Sequence, residues 1–265
     1  MAICNRFMNR YFIVFQYDGT AYHGWQAQPN AHSVQAELQR ALALLLRTDC
    51  EVVGAGRTDA GVHASKMVAH FDVEVPIDAP QVAYRLNKIL PRDIAVIAVV
   101  PVDGSMHARF SATSRTYHYY IHTRKDPFVG RYSCLLHYRL DFEKMNEAGR
   151  MLTTYDDFGA FCKSHTDVKT TICRVTEARW EQTGDHTYRF VITANRFLRN
   201  MVRAVVGTLV DVGRGRLSLD DFLAVVESRK RTQAGESMPA HALFLHDVAY
   251  EGLSLDNQTT TITDK

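Results

Sequence analysis

The same succession of apolar patterns runs along this chain twice, and few folds accommodate that. In the first pass Tyr11-Phe12-Ile13-Val14-Phe15 reads as a strand over about 11 to 17. A helix follows over about 34 to 46, where Val34, Leu38, Leu42 and Leu45 fall on one face and Ser33 stands at the N-cap position. Short strands around 51 to 55 and 67 to 74, a helix near 80 to 90 stopped by Pro91, and a Val- and Ile-rich strand near 94 to 102 complete the order β-α-β-β-α-β. After residue 105 a comparable order returns: a strand at 115 to 122, a helix over about 142 to 152 behind Asp141, strands near 172 to 181 and 186 to 194, a helix over about 196 to 212, and a strand near 244 to 250. An additional helix near 219 to 230 opens with the capping-box pattern Ser218-Leu219-Asp220-Asp221. Two split β-α-β units in tandem predict an α+β chain of two half-domains, 1 to 104 and 105 to 253, whose sheets could join with a cleft between them. The Thr-rich end, 254 to 265, has too little apolar content to pack and is expected to be disordered.

At 265 residues and 46% hydrophobic, the chain can bury a substantial core. No apolar run approaches the roughly 18 residues of a membrane span. Met1 to Asn9 lacks the uninterrupted apolar core of a signal peptide, so a cytoplasmic protein is expected. Cys4, Cys50, Cys134, Cys162 and Cys173 are odd in number, widely spaced and without a Cys-x-x-Cys pair, which argues against a disulfide framework or a zinc site. The twelve histidines show no metal-ligand spacing. The net charge of +2 does not announce a nucleic-acid binder, but its distribution is uneven. Residues 105 to 139 hold Arg109, Arg115, Arg124, Lys125, Arg131 and Arg139 against Asp126 alone; residues 196 to 216 hold Arg196, Arg199, Arg203, Arg214 and Arg216 against Asp211. The remainder is net acidic, and two concentrated basic stretches on an acidic protein suit the binding of a polyanion.

Between the second and third expected strands lies Gly54-Ala55-Gly56-Arg57-Thr58-Asp59-Ala60-Gly61-Val62-His63-Ala64, one carboxylate and one guanidinium among very small residues. Glycines let the backbone turn sharply and let a planar ligand approach the main chain. An isolated Asp-Ala-Gly would read as a hairpin turn. The full string, however, resembles the catalytic motif of the TruA family of tRNA pseudouridine synthases, with Asp59 at the position of the nucleophile. Tyr17-Asp18-Gly19-Thr20, Gly24-Trp25-Gln26, Ser33-Val34-Gln35, His107-Ala108-Arg109-Phe110-Ser111-Ala112, Tyr117-His118-Tyr119 and Asn195 to Arg203 resemble the family's other blocks, in the family's order, over residues 11 to about 250. Two positions depart from the pattern. Arg196 stands where a small residue is common, and Ala242 where the C-terminal block has glycine.

The resemblance implies a pseudouridine synthase fold with a mixed, largely antiparallel sheet, and the isomerisation of uridine at positions 38 to 40 of the anticodon stem-loop by a homodimer. That reaction breaks the C1′–N1 bond, turns the base and joins C5 to C1′, and it needs no metal or redox cofactor. A carboxylate can form a covalent intermediate and divide the step, and keeping it ionised calls for an opposite charge, which the resemblance supplies as Arg203. On a helix Arg196, Arg199 and Arg203 would share roughly one face. In a strand Tyr117 and Tyr119 share a face and His118 points away. The spacing alone reads as core, whereas the resemblance makes Tyr117 the residue that packs on the target uracil and leaves Tyr119 inside. A stacked uridine must be extruded before Asp59 can reach it. Arg57 resembles the residue that supports flipping, and His107, Arg109 and Phe110 with Lys163, Ser164 and His165 resemble RNA contacts. His63 reads as structural. A relative with other RNA targets and an inactive RNA-binding relative are the alternatives. A glycosidase is disfavoured because no second carboxylate accompanies the Asp59 motif.

Overall fold

The computed structural model describes residues 8–163 and 168–255, and the chain divides into two compact units. One runs up to Thr113 and takes back the chain from Asp247; the other is Ser114–His246.

The first unit is built on β1 (Asn9–Tyr17), where Phe12, Ile13, Val14 and Phe15 are all at most 1% exposed. A strand buried on both faces has an unbroken apolar run rather than an alternation, and residues 11–15 have that pattern. β1 pairs antiparallel with β3 (His63–Val73) on one side and β4 (Ile94–Val102) on the other, and β2 (Val53–Gly54) adds to β3. Helix α1 (Val34–Leu46) begins where Ser33 Oγ accepts the Ala36 N–H, and it buries Val34, Leu38, Ala41 and Leu42. Helix α2 (Ala79–Ile89) begins at Asp78, whose carboxylate accepts the Gln81 N–H, with Pro80 in the first turn, where a missing N–H loses nothing. β4 ends the strand order. Asn87 of α2 takes both the N–H and the C=O of Val96, at 2.7 and 2.8 Å, closing part of that edge.

In the second unit β5 (Ala112–His122), β8 (Thr187–Ala194) and β7 (Val175–Gly184) lie side by side in antiparallel pairs. The short β6 (Cys134–Leu135) runs parallel to β5. Helix α3 (Phe142–Met151) is capped by Asp141, whose carboxylate accepts the Lys144 N–H at 3.0 Å. It packs so tightly that a Cβ on Gly149 would fall 2.5 Å from the Ala178 carbonyl oxygen of β7. Helix α4 (Met201–Gly213) is buried along eleven of its 13 residues. Helix α5 (Leu219–Ser228) opens with both halves of the capping box, Asp221 N–H to Ser218 Oγ and Ser218 N–H to Asp221 Oδ2, each 3.1 Å. β9 (Leu243–Tyr250) completes the elements. The chain is α+β with a mixed, mostly antiparallel pattern of strands, as its sequence implies.

Several boundaries differ from those expected. Helix α4 starts at Met201 instead of about 196, because Asn200 sits in the left-handed region at φ 66° and ends any helical path before it. Arg196 and Arg199 therefore precede the helix and share no helical face with Arg203. β3 begins at His63, directly after the glycine-rich loop, and β7 begins at Val175. Leu255 is 4% exposed, so the chain packs through that residue, and 256–265 lie outside the described residues. Among the described residues no helix is long and apolar enough to cross a membrane.

Candidate active site

The Asp59 loop connects β2 to β3 and closes with a tight turn in which the Val62 N–H bonds the Asp59 carbonyl at 3.1 Å. Gly61 takes the third position of that turn at φ 75°, a conformation that favours glycine. The rest of the loop is fixed by close backbone approaches from the segments that precede α1. A Cβ on Gly19 would lie 2.0 Å from the Val62 carbonyl oxygen, and one on Gly24, itself at φ 91°, 2.3 Å from the Thr58 oxygen. A Cβ on Gly54 would meet the fully buried indole of Trp25 at 2.6 Å. Hydrogen bonds complete the frame: Trp25 N–H to Thr58 O at 3.4 Å, Gly61 N–H to Tyr22 O at 3.3 Å, Ala55 N–H to Val68 O at 2.8 Å, and the Tyr17 and Thr58 hydroxyls 2.9 Å apart. Gln35 ties the framing segment to α1, accepting the Ala27 N–H at 2.7 Å and donating to Val52 O at 2.8 Å. His63 is buried, with its Nδ1 3.0 Å from both the Gly19 nitrogen and the Asp18 carboxylate. On this scaffold Asp59 is half-buried and Arg57 exposed. Gly56 faces open space, with nothing within 4 Å of where its Cβ would be.

The other first-unit residues singled out by sequence form a second turn. His107 Nδ1 accepts the N–H groups of Arg109 and Phe110 at 3.1 and 3.2 Å, while the His107 N–H donates to Ser111 Oγ at 2.9 Å. Arg109 and Phe110 are exposed, Phe110 by 76%. Its ring lies 4.3 Å from the His107 ring and 5.6 Å from the Arg109 guanidinium. Burial, then Arg10 and Arg109, holds the His107 imidazolium below its usual range, which favours the neutral ring that the two accepted bonds require.

Tyr117, Lys163 and Arg203 belong to the second unit. Tyr117 is 9% exposed, and its ring meets Phe197 edge-on at 5.1 Å. Tyr119, on the same face of β5, is fully buried and donates to the Pro239 carbonyl at 3.0 Å; burial pushes its hydroxyl to a higher pKa. Arg203 is half-buried in the first turn of α4 and donates from Nε to the Met238 carbonyl at 2.5 Å, while the Met238 N–H returns a bond to the Arg203 carbonyl at 3.1 Å. Lys163 is exposed, its N–H on the Arg199 carbonyl at 3.0 Å. Ser164 and His165 lie outside the described residues.

Sequence reasoning gave no role to two residues that shape these segments. Gly24 was only part of a family block, although its positive φ and contact with Thr58 make it a wedge under the Asp59 loop. His70, buried in β3, carries no sequence signal of its contact with Ala108.

A sequence model for a family described as tRNA pseudouridine synthase matches residues 13–111 and 151–251. The chain is 57% identical over 244 residues to a tRNA pseudouridine synthase A of Bacteroides fragilis, an alignment covering 92% of this chain and 97% of the relative. It is 57% identical over 244 residues to the protein so named in Parabacteroides distasonis, covering 92% and 96%. It is 41% identical over 239 residues to that of Bacillus subtilis, covering 89% and 96%.

Proposed function

The chain belongs to the tRNA pseudouridine synthase family, and from that membership we propose that it isomerises uridine to pseudouridine in tRNA, at positions 38 to 40 of the anticodon stem-loop. The reaction is an internal exchange of bonds. The C1′–N1 bond breaks, C5 of the turned base bonds to C1′, C5 gives up its proton and N1 takes one up, so the product is an isomer of the substrate and no oxidant is consumed. Asp59 is the nucleophile, Tyr117 the ring on which the uracil rests, and Arg203 the third catalytic residue. Arg57, His107, Arg109, Phe110, Lys163, Ser164 and His165 are the RNA-binding residues of the reading. The observation that carries it is the construction of the Asp59 loop. Three glycines at positions where a Cβ would collide, together with Trp25, frame the loop that carries the half-buried Asp59. A base flipped at a cost of a few kcal/mol needs such a preset nucleophile. The enzyme of this reading works in the cytoplasm as a homodimer, a state that light scattering reads directly; only monomer at assay concentration would remove it.

Asp59→Asn is expected to keep the fold and the affinity for tRNA while abolishing turnover, and mapping pseudouridines in tRNA from cells with and without the protein should place the loss at positions 38 to 40. Normal pseudouridine formation by Asp59→Asn would sink the assignment.

A further inference from the structure

The turn that carries Arg109 and Phe110 is anchored far more firmly than an exposed loop needs. Ala108, at its base, is fully buried, and both of its backbone polar groups are taken by side chains from distant elements. The Ala108 N–H donates to Nδ1 of His70 on β3 at 3.2 Å, and the Ala108 carbonyl accepts from the Tyr250 hydroxyl at 2.6 Å. One residue before His107, the Met106 carbonyl accepts from Arg10 at 3.0 Å, and Arg10 is itself fixed by a two-bond pairing with Asp72 at 2.7 and 2.8 Å. The His70 ring stands edge-on to the His107 ring at 4.6 Å. His107 in turn holds the Arg109 and Phe110 amides. A chain of contacts thus runs from the interior through His70 and His107 to a phenyl ring that is 76% exposed. A single exposed Phe needs no explanation. One whose amide is held by His107, in a turn whose base at Ala108 is held by His70, has lost backbone freedom beforehand, which is what a stacking surface requires.

We propose that Phe110 is a stacking platform for one unpaired nucleotide of the RNA, with Arg109 on its phosphate, and that His70 is the positioning residue that holds the platform in place. The proposal rests on the reading of the protein as a tRNA-modifying enzyme. An aromatic ring beside a guanidinium matches a nucleotide's two faces, the flat base and the anionic phosphate. A second copy of the chain fits less well, because a two-fold contact would bring the same Arg109 cations together. His70 acts through its lone pair. Burial, aided by Arg10 and His107, pushes its pKa down to about 4, so at neutral pH Nδ1 is free to accept the Ala108 N–H. Removing that acceptor strands a buried donor.

The test uses the full-length enzyme on an anticodon stem-loop RNA and on a set of the same RNA with single abasic positions around the target. His70→Ala is expected to raise KM about tenfold with kcat held within a factor of two. His70→Asn, whose amide oxygen can stand where Nδ1 stood, should recover most of it. Phe110→Leu should raise KM similarly, and the double variant His70→Ala with Phe110→Leu should be no worse than either alone. On one abasic RNA, the wild type should lose the same factor and Phe110→Leu should lose nothing more. An unchanged KM for His70→Ala with only a lower melting temperature would leave His70 a purely structural residue and overturn its assignment. A Phe110→Leu penalty that persists on every abasic RNA would overturn the platform, as would a Phe110→Leu variant that changes oligomeric state and not KM. A wild type that forms no pseudouridine overturns the function itself, an outcome distinct from all of these.

Discussion

Gly24 and Gly56 separate two reasons for glycine in a site. At Gly24 the backbone lies at φ 91° and a methyl group would press 2.3 Å from the Thr58 carbonyl oxygen, a backbone atom that cannot swing aside. Gly24→Ala should therefore lose about 1–2 kcal/mol from conformation alone, and more from the clash. By pushing on the residue next to Asp59 it should also slow pseudouridine formation at least about tenfold, since a misplacement near 1 Å can cost more than that. Gly56→Ala meets no atom, so its stability should stay within about 0.5 kcal/mol of the parent. Urea denaturation with a tritium-release assay on both variants checks this. A Gly24→Ala enzyme with native stability and rate would remove Gly24 as the wedge.

Among the elements, α4 shows how one residue sets a boundary. The stretch from Arg196 has apolar residues at helical spacing, yet Asn200 turns left-handed and its side chain donates to Ser237 Oγ at 2.6 Å. Asparagine adopts this conformation more readily than most residues, and the tertiary bond to Ser237 fixes it. The consequence is functional in the proposed reading, because Arg203 then stands in the first turn of α4, facing the 237–239 segment through its bonds with Met238. Asn200→Gly keeps the backbone and should cost within about 1 kcal/mol, a single side-chain hydrogen bond. Asn200→Val places a β-branched side chain at positive φ and should cost roughly 2 kcal/mol or more. Urea midpoints measure the difference. Equal stability of the two variants would mean that the helix start is not set by the Asn200 backbone.

For the whole molecule the buried histidines set the acid limit. His70 in the first unit is pushed down to about 4 and His118 in the second to about 3, by burial first in both cases, with the stacked His246 ring 3.7 Å away as the next cause at His118. Both are neutral in the fold and have an ordinary value of 6.5 when unfolded. Their contribution to stability is therefore complete above about pH 6.5 and is lost as pH falls from there towards about 4 and 3, because the unfolded chain takes up protons that the fold does not. The slope is bounded by about 1.4 kcal/mol per pH unit for each histidine. Asp72, held below its ordinary 3.8 by the hydrogen bonds of Arg10, adds a loss only at lower pH. Melting temperatures should thus fall between pH 6.5 and 5, where carboxylates are still ionised, and His118→Phe should flatten that limb. A melting temperature constant from pH 7.5 to 5 would contradict the account.

What the sequence determined alone is what neighbours in the chain decide. Ser33, Asp141 and Ser218 cap helices through bonds to amides three residues away, so those starts can be read from the order of residues, and the unbroken apolar run of β1 marks a strand buried on both sides. The order of the motif blocks likewise carried the family. Tertiary structure decided the rest. Trp25 lies under Gly54, His70 accepts from Ala108, thirty-eight positions on, and Arg203 exchanges bonds with Met238, thirty-five positions on. The start of α4 follows from such a contact, the bond from Asn200 to Ser237. A helix cap is satisfied within one turn of the chain. A buried amide or a glycine with no room for a Cβ is satisfied by whatever the fold brings alongside, and residue order does not say which segment that will be.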